Sequence, residues 1–234
     1  MSSLFNNFRK VKVQCSLLDT DELKNYSLGV WQNVYSLPNY SKDFGCPAVG
    51  SVNSRIYLVN SPVKAKVIFG IDENNEPFYR YEYDTNQHPT NNIMHDFIEQ
   101  IFHVELNDDR ATFQILLPYA FITDDDIEIL TLEPNLKTEN VSYVSGALNI
   151  KNWIRNVNSA WTLNDKTREG IIYLDTSKPI IKYVFSKPID MEYKELSDEQ
   201  INYYKNTRGL LNLRRNINKI YKSIIIRRPK KLLW

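Results

Sequence analysis

Few side chains in this sequence have the type and spacing that chemistry demands. The three histidines, His88, His95 and His103, fall in one segment, and only His103 begins a His-x-Glu run, His103-Val104-Glu105. His95 and His103 are eight apart and share a face only if one helix runs through both. The iron triad of double-stranded β-helix oxygenases would need a further histidine after residue 103, and none follows. No metal and no cofactor is therefore expected. Asp124, Asp125 and Asp126 with Glu128 present oxygen ligands, but the glycine and spacing of a calcium loop are missing, so a solvated acidic turn is the plainer reading. Cys46, just before Pro47, acts as a nucleophile only with a histidine beside it. Seven glycines scattered singly build neither a phosphate loop nor a dinucleotide fingerprint. No catalytic residue is assigned.

The most distinctive run is Ser145–Trp161, SGALNIKNWIRNVNSAW. Read as extended chain, it puts Trp153, Val157 and Trp161 on one side with Arg155 among them, and Ile150, Ile154 and Ala160 on the other. Apolar groups on both faces mark a central strand covered on both sides. Two uses of the run follow. In one, Arg155 is a structural partner within a core; in the other, Trp153, Arg155 and Trp161 form a ligand pocket, with the guanidinium as anion clamp and an indole as wall.

The elements that must position these residues are mostly strands. Lys10–Leu18 alternates, with Val11, Val13, Cys15 and Leu17 on one face, as a half-buried strand does. Residues 19–50 hold Pro38, Gly45, Pro47 and Gly50 and read as largely irregular. Strands are expected at 55–60, 63–71 and 77–83, the last two joined by a hairpin turn at Asp72–Glu76. The alternating Tyr79, Tyr81 and Tyr83 make either a core rim or a binding surface. Asn92–Phe102 fits a helical face through Ile93, Phe97, Ile98, Ile101 and Phe102 without excluding an extended form. Further strands are expected at 111–121, 127–133, 141–146, 148–163, 170–175 and 180–185. Short strands with closely spaced turns predict a mainly β fold, an antiparallel two-sheet sandwich that is jelly-roll-like.

The C-terminal part differs in kind. Ser197-Asp198-Glu199-Gln200 has the form of a capping box, so a helix should begin there. Tyr203, Leu210, Ile217 and Ile224 recur every seventh residue with Leu213 and Ile220 between them, an apolar seam on a basic helix that Pro229 should stop. The chain divides into a β-sandwich domain, 1–190, and a basic helical arm, 197–234. The net charge of +1 hides a split: ten of the 29 basic residues lie from Lys205 onward, and no acidic residue follows Glu199. Residues 1–204 thus carry 19 basic against 28 acidic groups, or −9, and residues 205–234 carry +10. The arm's candidate contacts are Arg208, Arg214, Arg215, Lys219, Lys222, Arg227, Arg228, Lys230, Lys231 and Trp234. Such an arm suits an anionic or acidic partner. Its apolar seam favours another protein or further copies of the chain, with nucleic acid second because aromatics for base stacking are sparse.

No apolar run reaches the roughly 20 residues that span a bilayer. MSSLFNNFRK has no apolar stretch after its charges, so no secretory signal is expected. The two cysteines, Cys15 and Cys46, make no disulfide framework and are expected as reduced thiols. From Phe113 to Phe185 the succession TFQILLPYAFITDDD, SGALNIKNWIRNVNSAW and KPIIKYVF, with the earlier CPAVGSVNSRIYLVNSPVKAKVIFG, resembles uncharacterised proteins encoded by tailed phages of marine cyanobacteria and related phages. The likeness covers about residues 44–187 and leaves the basic arm outside. It implies a phage origin and transfers no catalytic residue. The expected function is that of a non-enzymatic virion structural or protein-interaction component with a basic docking helix. It would sit in the host cytoplasm during infection or in the virion. The alternatives are a jelly-roll enzyme or small-ligand binder around Trp153 and Arg155, and nucleic-acid binding through the arm.

Overall fold

In a computed structural model of the chain, the residues described are 10–17, 55–83, 91–107, 110–151, 154, 156–208 and 231. They form a mainly β structure. In chain order the strands are β1 (Val11–Leu17), β2 (Ile56–Asn60), β3 (Ala65–Ile71), β4 (Pro77–Tyr83), β5 (Phe102–Asn107), β6 (Arg110–Ile115), β7 (Tyr119–Ile122), β8 (Glu128–Leu132), β9 (Lys137–Glu139), β10 (Val141–Tyr143), β11 (Ala147–Asn149), β12 (Ser159–Leu163), β13 (Glu169–Leu174), β14 (Pro179–Phe185) and β15 (Ile189–Tyr193). Two helices interrupt them, α1 (Asn91–Ile101) between β4 and β5 and α2 (Asp198–Arg208) after β15.

The strands hydrogen-bond into four sheets, ordered β15-β1-β7, β10-β12-β6-β5, β11-β8-β14-β2 and β4-β3-β13-β9. Period-2 alternation explains which side of each is apolar. On β6, Ala111, Phe113 and Ile115 point inward, and on β12 Ser159, Trp161 and Leu163 do the same. Register sets Tyr143, Trp161, Phe113 and Val104 side by side across the second sheet. Phe113 stacks on Phe69 of the fourth sheet at 5.4 Å, while Phe121 of the first sheet meets Tyr183 and Phe185 of the third at 5.1 and 5.6 Å. One cluster of buried apolar residues joins all four sheets. Face-to-face packing of this kind is consistent with a β-sandwich.

Several expectations change in detail. The run 111–121 is two strands, because Pro118 lacks the N–H that a ladder requires. The chain leaves β6 at Ile115 and re-enters another sheet as β7, paired with β1. The run 148–163 is likewise no single strand. It contributes β11 to one sheet and β12 to another, and between them the described backbone makes one isolated bridge, Asn156 to Ala120. The ambiguous 92–102 segment resolves as helix, with Phe97, Ile98 and Ile101 buried, followed directly by β5. Among the described residues antiparallel pairing holds for every ladder but one: β1 lies parallel to β15, Val11 opposite Ile189. The hairpin at Asp72–Glu76 forms as expected, closed by the Asp72 carboxylate accepting from the amides of Asn74 and Glu76.

Candidate functional site

The base of the C-terminal arm is the best-defined polar site in the described chain. The capping box forms in both directions: Ser197 N–H donates to Gln200 Oε1 at 2.9 Å, and Gln200 N–H donates to Ser197 Oγ at 3.3 Å. Gln200, Tyr203 and Tyr204 follow at i, i+3 and i+4, so they share the face turned to the body. Tyr203 and Tyr204 form a second apolar cluster with Ala120 and Ile122 of β7 and with Ile154, and Leu196 packs against it. Gln200 is 0% exposed. Its Nε2 donates to Gln14 Oε1 at 3.0 Å, and Gln14 Nε2 lies 3.2 Å from Gln200 Oε1, 2.8 Å from Ser16 Oγ and 3.1 Å from the Glu195 carbonyl. Ser16 Oγ donates to the Lys194 carbonyl at 2.7 Å.

This polar latch corrects the reading of β1 as half-buried. Val13 and Cys15 face the main core, but Gln14 and Ser16 on the opposite face are equally buried, because α2 covers them. Their polarity marks hydrogen bonding under a helix rather than contact with water. β7 is also covered on both sides, with Tyr119 and Phe121 toward the main core and Ala120 and Ile122 toward α2. Cys15 is a buried free thiol whose pKa burial pushes far above its ordinary value.

The other predicted residues separate. Trp161 is 1% exposed and packs in the main core against Phe113 and Tyr143, with no acceptor for its indole N–H among the described residues. Trp153 and Arg155 lie outside the described residues. So do Arg214, Arg215, Lys219, Lys222, Arg227, Arg228, Lys230 and Trp234, together with His88 and Cys46. Arg208 closes α2, and Lys205 and Lys231 are exposed. Over its described length α2 is charge-balanced, with Asp198 and Glu199 against Lys205 and Arg208.

The tyrosine row on β4 is a core rim. Tyr79 and Tyr81 pack edge-on against Phe102 at 6.3 and 6.1 Å. Their hydroxyls reach across to α1: Tyr79 donates to Glu99 Oε2 at 2.8 Å, and Tyr81 pairs with His95 Nδ1. Burial, then the Glu99 carboxylate, pushes the Tyr81 phenol up to about 12. His95 and His103 do not share a helical face, since α1 ends at Ile101 and His103 belongs to β5. Among the described residues no three His, Cys, Asp or Glu side chains converge to hold a metal ion.

Sequence reasoning passed over a cleft of about 710 Å³ where the β3–β4 and β12–β13 turns meet the ends of β5 and β6. Three non-glycine residues of the described chain have left-handed backbone, Asn75 (φ 64°), Asn140 (φ 60°) and Lys166 (φ 65°), and all three are here. Asn75 and Lys166 line the cleft. The Asn140 carbonyl accepts from Asn164 N–H at 2.9 Å and holds the second turn from behind. Arg168 Nη2 donates to the Asp72 carbonyl and lies 3.3 Å from Asn75 Oδ1, and Arg110 Nη2 sits 2.6 Å from Asp165 Oδ1. Gly70 makes this approach feasible, because a Cβ there would meet the Arg168 carbonyl oxygen at 2.1 Å. The only signal in sequence was two stretches of turn formers, Asp72–Asn75 and Asn164–Lys166.

No family model matches the chain, and no curated protein matches it. Among the described residues no helix is long and apolar enough to cross a membrane.

Proposed function

We propose that this chain is a phage-encoded, non-enzymatic interaction protein: a jelly-roll-like β body whose basic C-terminal helix docks it onto another protein or a second copy of itself, in the virion or in the infected cell. The observation that supports this reading is the buried latch of Gln14, Ser16 and Gln200. It gives α2 a fixed origin on the body, just ahead of the stretch in which ten cationic residues occur without an acidic one. A firmly seated base limits the freedom that the arm loses when it binds, and so favours docking. The acidic balance of residues 1–204 adds a second support, since a body of opposite sign discourages purely non-specific attraction to polyanions.

The test is purification of particles and complexes from infected cells with the full chain or with a full-length variant carrying Arg214→Gln, Arg215→Gln, Lys219→Gln and Lys222→Gln. The wild-type chain should co-purify at fixed stoichiometry with its partner, and the variant should be depleted while remaining folded. Equal recovery of both would refute docking through the arm. A partner that proves to be DNA, lost steeply as salt rises, would move the arm to nucleic-acid binding.

A further inference from the structure

The cleft between the turns shares no lining residue with α2, and its lining has a consistent chemistry. The described lining residues carry three cations, Arg110, Lys166 and Arg168, against a single carboxylate, Asp165. Both guanidiniums are held before any ligand arrives, Arg110 by Asp165 and Arg168 by the Asp72 carbonyl and Asn75. Each spends one edge on that anchor and keeps further N–H donors. Leu106, 41% exposed, adds an apolar flank. The volume falls within the roughly 300–1,000 Å³ of small-molecule sites.

Lys166 is the most telling member. Thr167 N–H donates to the Asn164 carbonyl at 3.2 Å, so Lys166 is the third residue of a tight turn, the position where left-handed backbone favours glycine or asparagine. A lysine there is strained, and strain held by surrounding contacts gathers at ligand sites. The turn presents a cation where a glycine would fold more easily.

We propose that this cleft binds a small organic oxyanion, its phosphate or carboxylate held by Lys166 and Arg168 and its less polar body lying against Leu106. Charge-assisted bonds to pre-oriented donors make such a group the favoured occupant. Nucleotides and acidic sugars share that chemistry and are separated by experiment.

The test is ligand-observed NMR with the full chain against adenosine monophosphate, glucuronate and inorganic phosphate, each titrated to 10 mM, followed by calorimetry on whichever binds. Binding by the nucleotide or the acidic sugar is expected, and the stronger of the two identifies the source. Lys166→Gly should weaken it roughly tenfold or more and raise the melting temperature by a few degrees, because glycine adopts this backbone without strain. Asp165→Asn should tighten binding a few-fold by removing the opposing charge. A residue with only a structural role would not give these opposite shifts. The proposal is overturned if neither organic anion binds by 10 mM, if inorganic phosphate binds as well as both, or if binding is indifferent to Lys166→Gly.

Discussion

Gln200→Ala tests the seating of α2 directly. The substitution removes a fully buried amide that accepts from Ser197 N–H and donates to Gln14 Oε1. Loss of the reciprocal cap costs about 1 kcal/mol. Gln14 Nε2 keeps Ser16 Oγ and the Glu195 carbonyl, but its Oε1 loses the Gln200 donor while still buried, at a further cost of about 1–3 kcal/mol. The expected total is about 2–4 kcal/mol, or a fall of roughly 5–15 °C in melting temperature for a chain of this size. Gln14→Leu combined with Gln200→Leu removes both amides and should recover part of the loss, since neither side chain is left facing an unmet partner, while Ser197 N–H and the Glu195 carbonyl still lose theirs. Urea unfolding of the two singles and the double gives the coupling energy. Hydrogen exchange shows where the loss falls, with the amides of Ile201 to Tyr204 losing protection before those of β3. A Gln200→Ala variant within about 0.5 kcal/mol of wild type would refute the latch.

Three further outcomes can be checked. Gly70→Ala should destabilise by about 2 kcal/mol or more, because its Cβ would press on the Arg168 backbone oxygen; Gly146→Ala, whose Cβ meets only Thr131 Oγ1 at 3.9 Å, should be silent by the same melting assay. Cys15 should resist a disulfide-exchange reagent in the folded protein on a Cys46→Ser background and react once urea unfolds it; rapid native labelling would contradict its burial. Burial raises the phenols of Tyr81 and Tyr143 to about 12 against an ordinary 10.0. The folded chain therefore holds these protons longer than the unfolded one, and stability should be fully present below pH 10 and fall between about pH 10 and 12. Phenolate absorbance that rises as one transition near 10, with the fold intact, would count against this.

Local rules were the legible ones. The Asp72–Glu76 hairpin and the Ser197–Gln200 cap depend on residues two to four apart, and both appear as read. Alternation placed Val13 and Cys15 on one face of β1, and both face the main core. It failed where tertiary packing added a second cover. Gln14 and Ser16 look like a wet face in isolation, and only the arrival of α2, nearly the whole described chain away, makes them interior. Apolar residues spaced along both runs also concealed the jumps between sheets, at Pro118 and again between Asn149 and Ser159. The cleft was invisible for a related reason. Its turns lie about ninety residues apart, and the six-rung register of β3 with β13 is what brings Gly70 beside Glu169 and the two turns together.

The parallel pairing of β1 with β15 has a kinetic cost. Gln14 and Gln200 are 186 residues apart in sequence, so β1 leaves the ribosome long before the strand and helix that cover it. At about 5–20 residues per second the gap is roughly 10–40 s. Through that interval one edge of β1 is an open template for a neighbouring nascent chain. Closure of the first sheet therefore waits for β15, and the yield of folded protein should fall with crowded translation and recover when a chaperone shields the early half.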